Sequence, residues 1–145
     1  MTEKPIVYET THQVSFSDLD PNGHMTTGRY ATYFTDHRMQ GLSENLGWTI
    51  QALESLPFMA WVRRMEIDFI RSARPDQKIT ITSSVREFRG PDALVECTML
   101  DSGGRVLALC VMIVAYVEKA TNRAADWPPE LQALFFQDGS STQAP

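Results

Sequence analysis

The sequence predicts an α+β domain in which an antiparallel sheet wraps around one long helix. Three observations carry that prediction. The stretch Gly28 to Leu46 contains no proline and repeats its apolar residues at three- and four-residue spacings. Four strand-like segments follow it, each divided from the next by a turn. The last of them, Val106 to Val117, is apolar on both parities, so both of its faces need cover. One helix cannot cover both faces of a five-stranded sheet. The economical solution curls the sheet around the helix and pairs subunits edge to edge or face to face.

The chain order supports this element by element. Tyr8, Thr10, His12, Val14 and Phe16 share one parity and predict a first strand ending near Ser17. Asp20-Pro21-Asn22-Gly23 is a turn: Pro21 sets φ, Asn22 and Gly23 accept positive φ, and Asp20 can accept from the amides beyond it. Thr26 or Thr27 then caps the helix. Tyr30, Ala31, Phe34, Met39, Leu42 and Leu46 make its broad apolar face, and Gly47 is a natural stop. Gly41 within it implies close approach of another element. Residues from Trp48 to Pro57 read as a loop.

Phe58 to Ala73 is a long strand with Met59, Trp61, Met65, Ile67 and Phe69 on one parity and Arg63 as the exception. After the turn Arg74-Pro75-Asp76-Gln77 come Lys78–Phe88, the turn at Arg89–Asp92, Ala93–Leu100 and the hairpin turn Asp101-Ser102-Gly103-Gly104. Asp126 to Glu130, with its two prolines, starts a short helix continuing through Leu131, Leu134 and Phe135.

Length and composition bound the rest. The 145 residues fit one domain over 1–136, with a Ser/Gly/Gln/Pro-rich tail over 137–145 expected to be disordered. A net charge of −5 argues against a general nucleic-acid binder. No apolar run approaches the roughly 20 residues of a membrane span, and no apolar signal core follows Met1 to Pro5. With only two cysteines, the expectation is a cytoplasmic protein. Cys97 and Cys110 lie in apolar strand patterns and read as buried thiols. There is no CxxC and no zinc-type spacing, so no metal is expected, and neither a GxSxG elbow nor a GxGxxG or Walker loop is present.

The chemistry concentrates in Ser17-Asp18-Leu19-Asp20-Pro21-Asn22-Gly23-His24-Met25. A carboxylate on a turn just ahead of a helix start places a base beside unpaired backbone donors. Asp20 reads either as that base or as a turn-former bonding nearby amides. Asp18 reads as a strand-end or orienting residue, His24 as a group that orients water or ligand, and His12 and His37 as structural or exposed. Seven basic residues (Arg63, Arg64, Arg71, Arg74, Lys78, Arg86, Arg89) cluster in one third of the chain, either as solvated edges or as a patch for a phosphorylated ligand.

The run Phe16 to Met25, followed by a helix carrying Tyr30 and Phe34, resembles the hotdog-fold thioesterases, and most closely their 4-hydroxybenzoyl-CoA thioesterase-like branch. Val62-Arg63-Arg64-Met65-Glu66-Ile67-Asp68-Phe69-Ile70-Arg71 with Ala73-Arg74-Pro75 resembles that branch's second strand and its turn. The likeness covers roughly residues 8 to 118. It implies the hotdog fold, a five- or six-stranded antiparallel sheet around one long helix, in a homodimer or homotetramer with active sites at the subunit boundary. It implies Asp20 as catalytic carboxylate, acting as general base or nucleophile, with Thr27 and Gly28 amides polarising the thioester carbonyl. The substrate implied is an acyl-CoA or acyl-carrier-protein thioester, with no separate cofactor because CoA is part of the substrate.

Met25, Tyr30, Phe34, Phe58 and Trp61 are the candidate acyl-pocket residues; Arg63, Arg64, Arg71 and Arg74 are candidates for CoA phosphates. Two features depart from the pattern: Thr26-Thr27 stands where many relatives have Asn-Asn, and Asp36 stands near a position where many have glutamate. Two other readings stand beside hydrolysis. One is an acyl-thioester hydratase or dehydratase pairing Asp20 with His24. The other is a non-catalytic module that binds acyl-CoA or an acyl-carrier protein.

Overall fold

Helix α1, Thr27–Leu46, forms where the sequence offers a long proline-free run, and it ends at Gly47, whose φ of 70° lets its N–H turn back onto the Leu42 and Ser43 carbonyls. In the computed structural model, which describes residues 3–137, α1 is the axis around which an antiparallel sheet curls. In chain order the elements are β1 (Lys4–Pro5), β2 (Tyr8–Gln13), a 3₁₀ turn at Phe16–Asp18, α1, α2 (Ile50–Glu54), β3 (Phe58–Phe69), β4 (Lys78–Arg89), β5 (Asp92–Leu100), β6 (Val106–Glu118), β7 (Arg123–Ala124), α3 (Pro129–Gln132), a second 3₁₀ turn and β8 (Phe136–Gln137).

The main sheet runs β2-β4-β5-β6-β3, with β7 on the end of β6; β1 and β8 pair separately. This is the hotdog fold. Both β2 and β3 are edges of the main path. Most of the predicted tail lies outside the described residues, but Gln137 pairs with Lys4.

The stripe that α1 buries is Tyr30, Phe34, His37 and Gly41, at spacings of four, three and four. Gly41 is there for space: a Cβ would stand 2.9 Å from Tyr8 Cγ on β2, so only glycine lets strand and helix meet this closely. Tyr8 is in turn covered by the Arg38 guanidinium, 4.8 Å from its ring centre. His37 is fully buried. Its Nδ1 shares a hydrogen bond with Thr10 Oγ1 on β2 at 2.7 Å, and its Nε2 shares one with Ser83 Oγ on β4 at 2.6 Å. A neutral imidazole has one donor and one acceptor, and two hydroxyls match both.

Three expectations are corrected here. The first strand stops at Gln13; the chain then tightens into the 3₁₀ turn and Phe16 is 91% exposed. The segment after Trp48 is not all loop, because Thr49 Oγ1 accepts from the Ala52 amide at 3.0 Å and caps α2. The third correction concerns β3, whose register against β6 slips between Val62 and Arg64, leaving Arg63 in a bulge. Before the bulge, Phe58, Ala60 and Val62 share the inner face with Tyr116 and Val114; after it, Met65 and Ile67 do, opposite Met112 and Cys110. Met59 and Trp61 therefore stand on the outer face, although the sequence parity groups them with Met65 and Ile67.

The same strand carries exposed apolar side chains toward both ends. Met59, Trp61, Phe69 and the following Ile70 are all at least 42% accessible. Cys97 and Cys110 face each other across β5 and β6 as free, buried thiols. No helix among the described residues is long and apolar enough to cross a membrane.

The His37 contact makes stability depend on pH. Burial first, then the charges of Arg38 and His12, push its pKa from 6.5 down to about 3. Below pH 6.5 the unfolded chain binds a proton at this residue that the folded chain refuses. The contribution is complete above that pH and falls away as pH drops toward 3, by about 2 kcal/mol at pH 5. Urea denaturation at pH 7 and pH 5 should show wild type losing about that much more than His37→Gln; parallel losses in the two proteins would rule out this origin.

Candidate active site

The loop before α1 is a closed hairpin. Leu19 and Met25 bridge as an antiparallel pair, the Asp20 amide donates to the His24 carbonyl at 2.8 Å, and the Gly23 amide donates to the Asp20 carbonyl at 3.0 Å. Gly23 holds φ at 79°, which an L side chain rarely adopts. Inside this turn Asp20 Oδ1 accepts from the Asn22 amide at 2.8 Å and the His24 amide at 3.2 Å. Asp20 Oδ2 has no partner among the described residues. The turn-forming and base readings of Asp20 are therefore compatible: one oxygen orients the carboxylate and the other is left for a proton. The His24 ring is exposed and has no hydrogen bond among the described residues.

Asp18 has a different position. It is 7% exposed, with Oδ2 accepting from the Ser15 amide at 3.0 Å and from the Tyr33 hydroxyl, and Oδ1 paired with Arg29 Nε at 3.2 Å. Its carbonyl accepts from both the amide and the hydroxyl of Thr26, at 2.8 and 2.9 Å. Thr26 thus uses its side chain to tie the helix start to Asp18 instead of capping α1. The first-turn amides of Thr27 and Gly28 meet no acceptor among the described residues, and the space a Gly28 Cβ would enter is empty to 4 Å. Unpaired donors at a helix start can hold an oxyanion, and a half-buried carboxylate on the hairpin that leads into it can act as a base.

The segment after β3 is stitched to the same place. The Met25 amide donates to the Ala73 carbonyl at 3.2 Å, and the Ala73 amide donates to the Tyr30 hydroxyl at 3.1 Å. Arg74, the next residue, is thereby fixed beside the hairpin, and its guanidinium has no partner among the described residues. The other candidate arginines are engaged. Arg63 makes a two-bond pair with Asp92 at 2.6 and 2.9 Å, which holds the Asp92 carboxyl below its usual range. Arg64 pairs with Glu66 at 3.1 Å, and Arg71 donates to the Val106 carbonyl at 3.0 Å.

Of the candidate acyl-pocket residues, Met25, Tyr30 and Phe34 are core residues beneath the hairpin, with Tyr30 packed edge-on to Phe69 at 5.0 Å. Phe58 alone among them lines a largely apolar cavity of about 390 Å³ between α1, α2 and the inner face of the sheet. Trp61 is 62% exposed on the outer face, turned there by the Arg63 bulge. Sequence reasoning missed most of the cavity wall, including Arg38, Trp48, Val85, Val95 and Trp127. No local signal marked Arg38, which stands among the polar residues Thr35, Asp36, His37 and Gln40. Among the described residues no group of side chains is arranged to hold a metal ion.

The profile of the thioesterase-like superfamily matches residues 14–135. The chain belongs to that superfamily, and with it to the thioester hydrolases. Solved structures agree on the fold. A Staphylococcus aureus protein in complex with CoA aligns with a TM-score of 0.80 at 14% identity, covering 92% of this chain and 84% of that one. A DHNA-CoA thioesterase, also from S. aureus, gives 0.78 at 15% identity over 89% and 88%. A Thermus thermophilus thioesterase complexed with coenzyme A and Zn gives 0.73 at 19% identity over 88% and 90%. No curated protein sequence matches the chain.

The two loop carboxylates separate in a simple test. Asp18→Asn weakens the ion pair to Arg29 and disturbs a buried acceptor, and should cost about 1–3 kcal/mol. Asp20→Asn keeps an oxygen able to accept from Asn22 and His24 and should stay within about 0.5 kcal/mol of wild type. Thermal or urea denaturation of both variants reads this directly; the reverse order of stabilities would refute the assignment of roles.

Proposed function

We propose that the protein is an acyl-CoA thioesterase in which Asp20 activates the attacking water. The observation that carries this reading is the carboxylate with one oxygen held by two amides and the other unpartnered, on a hairpin leading directly into unpaired amides at the start of α1. Asp20 Oδ2 takes a proton from water as the water oxygen bonds to the thioester carbon. The carbonyl oxygen becomes an oxyanion and accepts from the Thr27 and Gly28 amides. As the tetrahedral adduct collapses, the C–S bond breaks and the proton passes from Asp20 to the departing thiolate, leaving free acid and CoA. Direct attack by Asp20, giving a transient acyl anhydride that water then opens, uses the same groups.

Arg74 is the arginine best placed for a CoA phosphate, because Ala73 ties it to the hairpin and its guanidinium is unengaged. Two CoA complexes among proteins of the same fold are consistent with such a site. A homodimer joined along β3 accounts for that strand's exposure. Antiparallel pairing of β3 with its own copy would lay the Phe69 end of one subunit, which contacts Tyr30, beside the Phe58 end of the other, which lines the cavity. The hairpin of one subunit then faces the cavity mouth of its partner.

Two measurements test this. Thiol release from a panel of short, long and aromatic acyl-CoAs should be near zero for Asp20→Asn, a drop of at least about 100-fold for removing the base. Undiminished release from that variant sinks the role of Asp20, and hydration of an enoyl-CoA without thiol release by wild type would instead favour a hydratase. Sedimentation of wild type should give a dimer or a multiple of it; a fully active monomer would exclude the shared site.

A further inference from the structure

We infer that Arg38 makes the cavity a receptor for acyl groups ending in a carboxylate, so that ω-carboxyacyl thioesters are preferred over methyl-terminated ones of equal length. This rests on the thioesterase reading above and names its substrate class.

The cavity crosses the inner face of the sheet from β3 to β4. Phe58 and Val62 line it on β3, Met112 on β6, Val95 on β5 and Val85 on β4. Three inter-strand spacings make that path about 14 Å. Its charged lining is unevenly placed. Glu54 and Lys119 stand at the β3 end, where Lys119 Nζ donates to the Leu53 and Glu54 carbonyls at 3.0 Å and both residues are exposed. Arg38 stands at the opposite end, where its guanidinium donates to Ser83 Oγ on β4 at 2.9 Å and covers Tyr8 on β2.

Arg38 differs from the other arginines in lacking a carboxylate partner while being covered; Arg71, Arg74 and Arg123 also lack one among the described residues, but all three are exposed. Arg29, Arg63, Arg64, Arg86, Arg89 and Arg105 each pair with a carboxylate. Each of those six is exposed, whereas Arg38 is largely covered and burial lowers its pKa. Among the described residues no carboxylate pairs with it. A guanidinium carries five N–H donors, and the protein uses one of them here. A buried charge without a counterion is costly, and a carboxylate is the group whose geometry matches the remaining donors two at a time. The other surfaces at this end, Val85, Val95 and Met112, are apolar and fully buried, so they suit a hydrocarbon chain leading up to that carboxylate. A methyl-terminated chain would leave the donors unpaired and displace whatever water reaches them.

The test uses full-length protein and two probes, monomethyl sebacate and dimethyl sebacate, titrated against the fluorescence of Trp48 and Trp127, which line the cavity. The monoester presents an ester at one end and a carboxylate at the other; the diester lacks the charge. Wild type should bind the monoester about 10- to 100-fold more tightly. Arg38→Met should abolish that difference, and Arg38→Lys should keep part of it. Equal binding by wild type, or a monoester preference that survives Arg38→Met, would overturn the proposal. If Arg38→Met does not fold, the wild-type ratio and Arg38→Lys still decide. Thiol release from the mono-CoA ester of sebacate against decanoyl-CoA completes the test. Hydrolysis without preference for the carboxylate counts against Arg38 alone. Selective binding with no hydrolysis of any ester supports Arg38 and counts against the thioesterase reading.

Discussion

Helix α1 meets the sheet through a narrow stripe, Tyr30, Phe34, His37 and Gly41, and most of the fold's geometry follows from seating it. Gly41 sets how closely β2 can approach, because Tyr8 occupies the space a side chain would need. His37 sets the lateral position, because its two ring nitrogens reach hydroxyls on two different strands, Thr10 on β2 and Ser83 on β4. Apolar contacts give most of the energy, about 1.5–3 kcal/mol for each large side chain buried. They do not by themselves fix register. A buried imidazole that must satisfy both nitrogens permits few alternatives.

Seating the helix also aims its first turn. Tyr30 sits at the start of the stripe and receives the Ala73 amide, while Ala73 receives the Met25 amide. Three segments distant in sequence, the hairpin, the helix start and the turn after β3, are thus bound into one rigid corner. Asp18 supplies further attachments through Ser15, Tyr33, Arg29 and Thr26. Because that corner is held so fully, Asp20 can expose one oxygen without the loop collapsing onto it. Division of labour between two nearby carboxylates, one spent on structure and one left free, is what makes the corner suited to chemistry.

At the other end of α1 the sheet leaves a cavity instead of a filled core. Trp48, Phe58, Trp127 and Phe135 pack edge-to-face around it, and such rigid rings hold a space open where flexible aliphatic chains would close it. The bulge at Arg63 matters to both sides of β3. It turns Val62 inward to the cavity wall and Trp61 outward, and Asp92 holds the bulged arginine in place by two hydrogen bonds.

The sequence by itself determined the order of the large elements, the limits of α1, the antiparallel turns and the identity of the hairpin, because each depends on local chemistry: proline and glycine at turns, helical spacing, and alternation along strands; it missed α2 and the short strands β1, β7 and β8. It also exposed Asp20 as a candidate base, since a carboxylate, a turn and a helix start are adjacent in the chain. In the sequence Asp18 already reads as a strand-end or orienting residue; only the tertiary structure supplied what holds it, because the partners Tyr33 and Arg29 come from the helix and not from the loop. Only the fold showed that Trp61 faces away from the cavity: a bulge shifts pairing by one residue, and in the sequence it leaves no trace beyond one misplaced arginine. The cavity and the unpaired position of Arg38 were equally invisible, since both are made by strands β3 to β6 closing over the helix, and a side chain's missing partner can be recognised only when all its neighbours are in place.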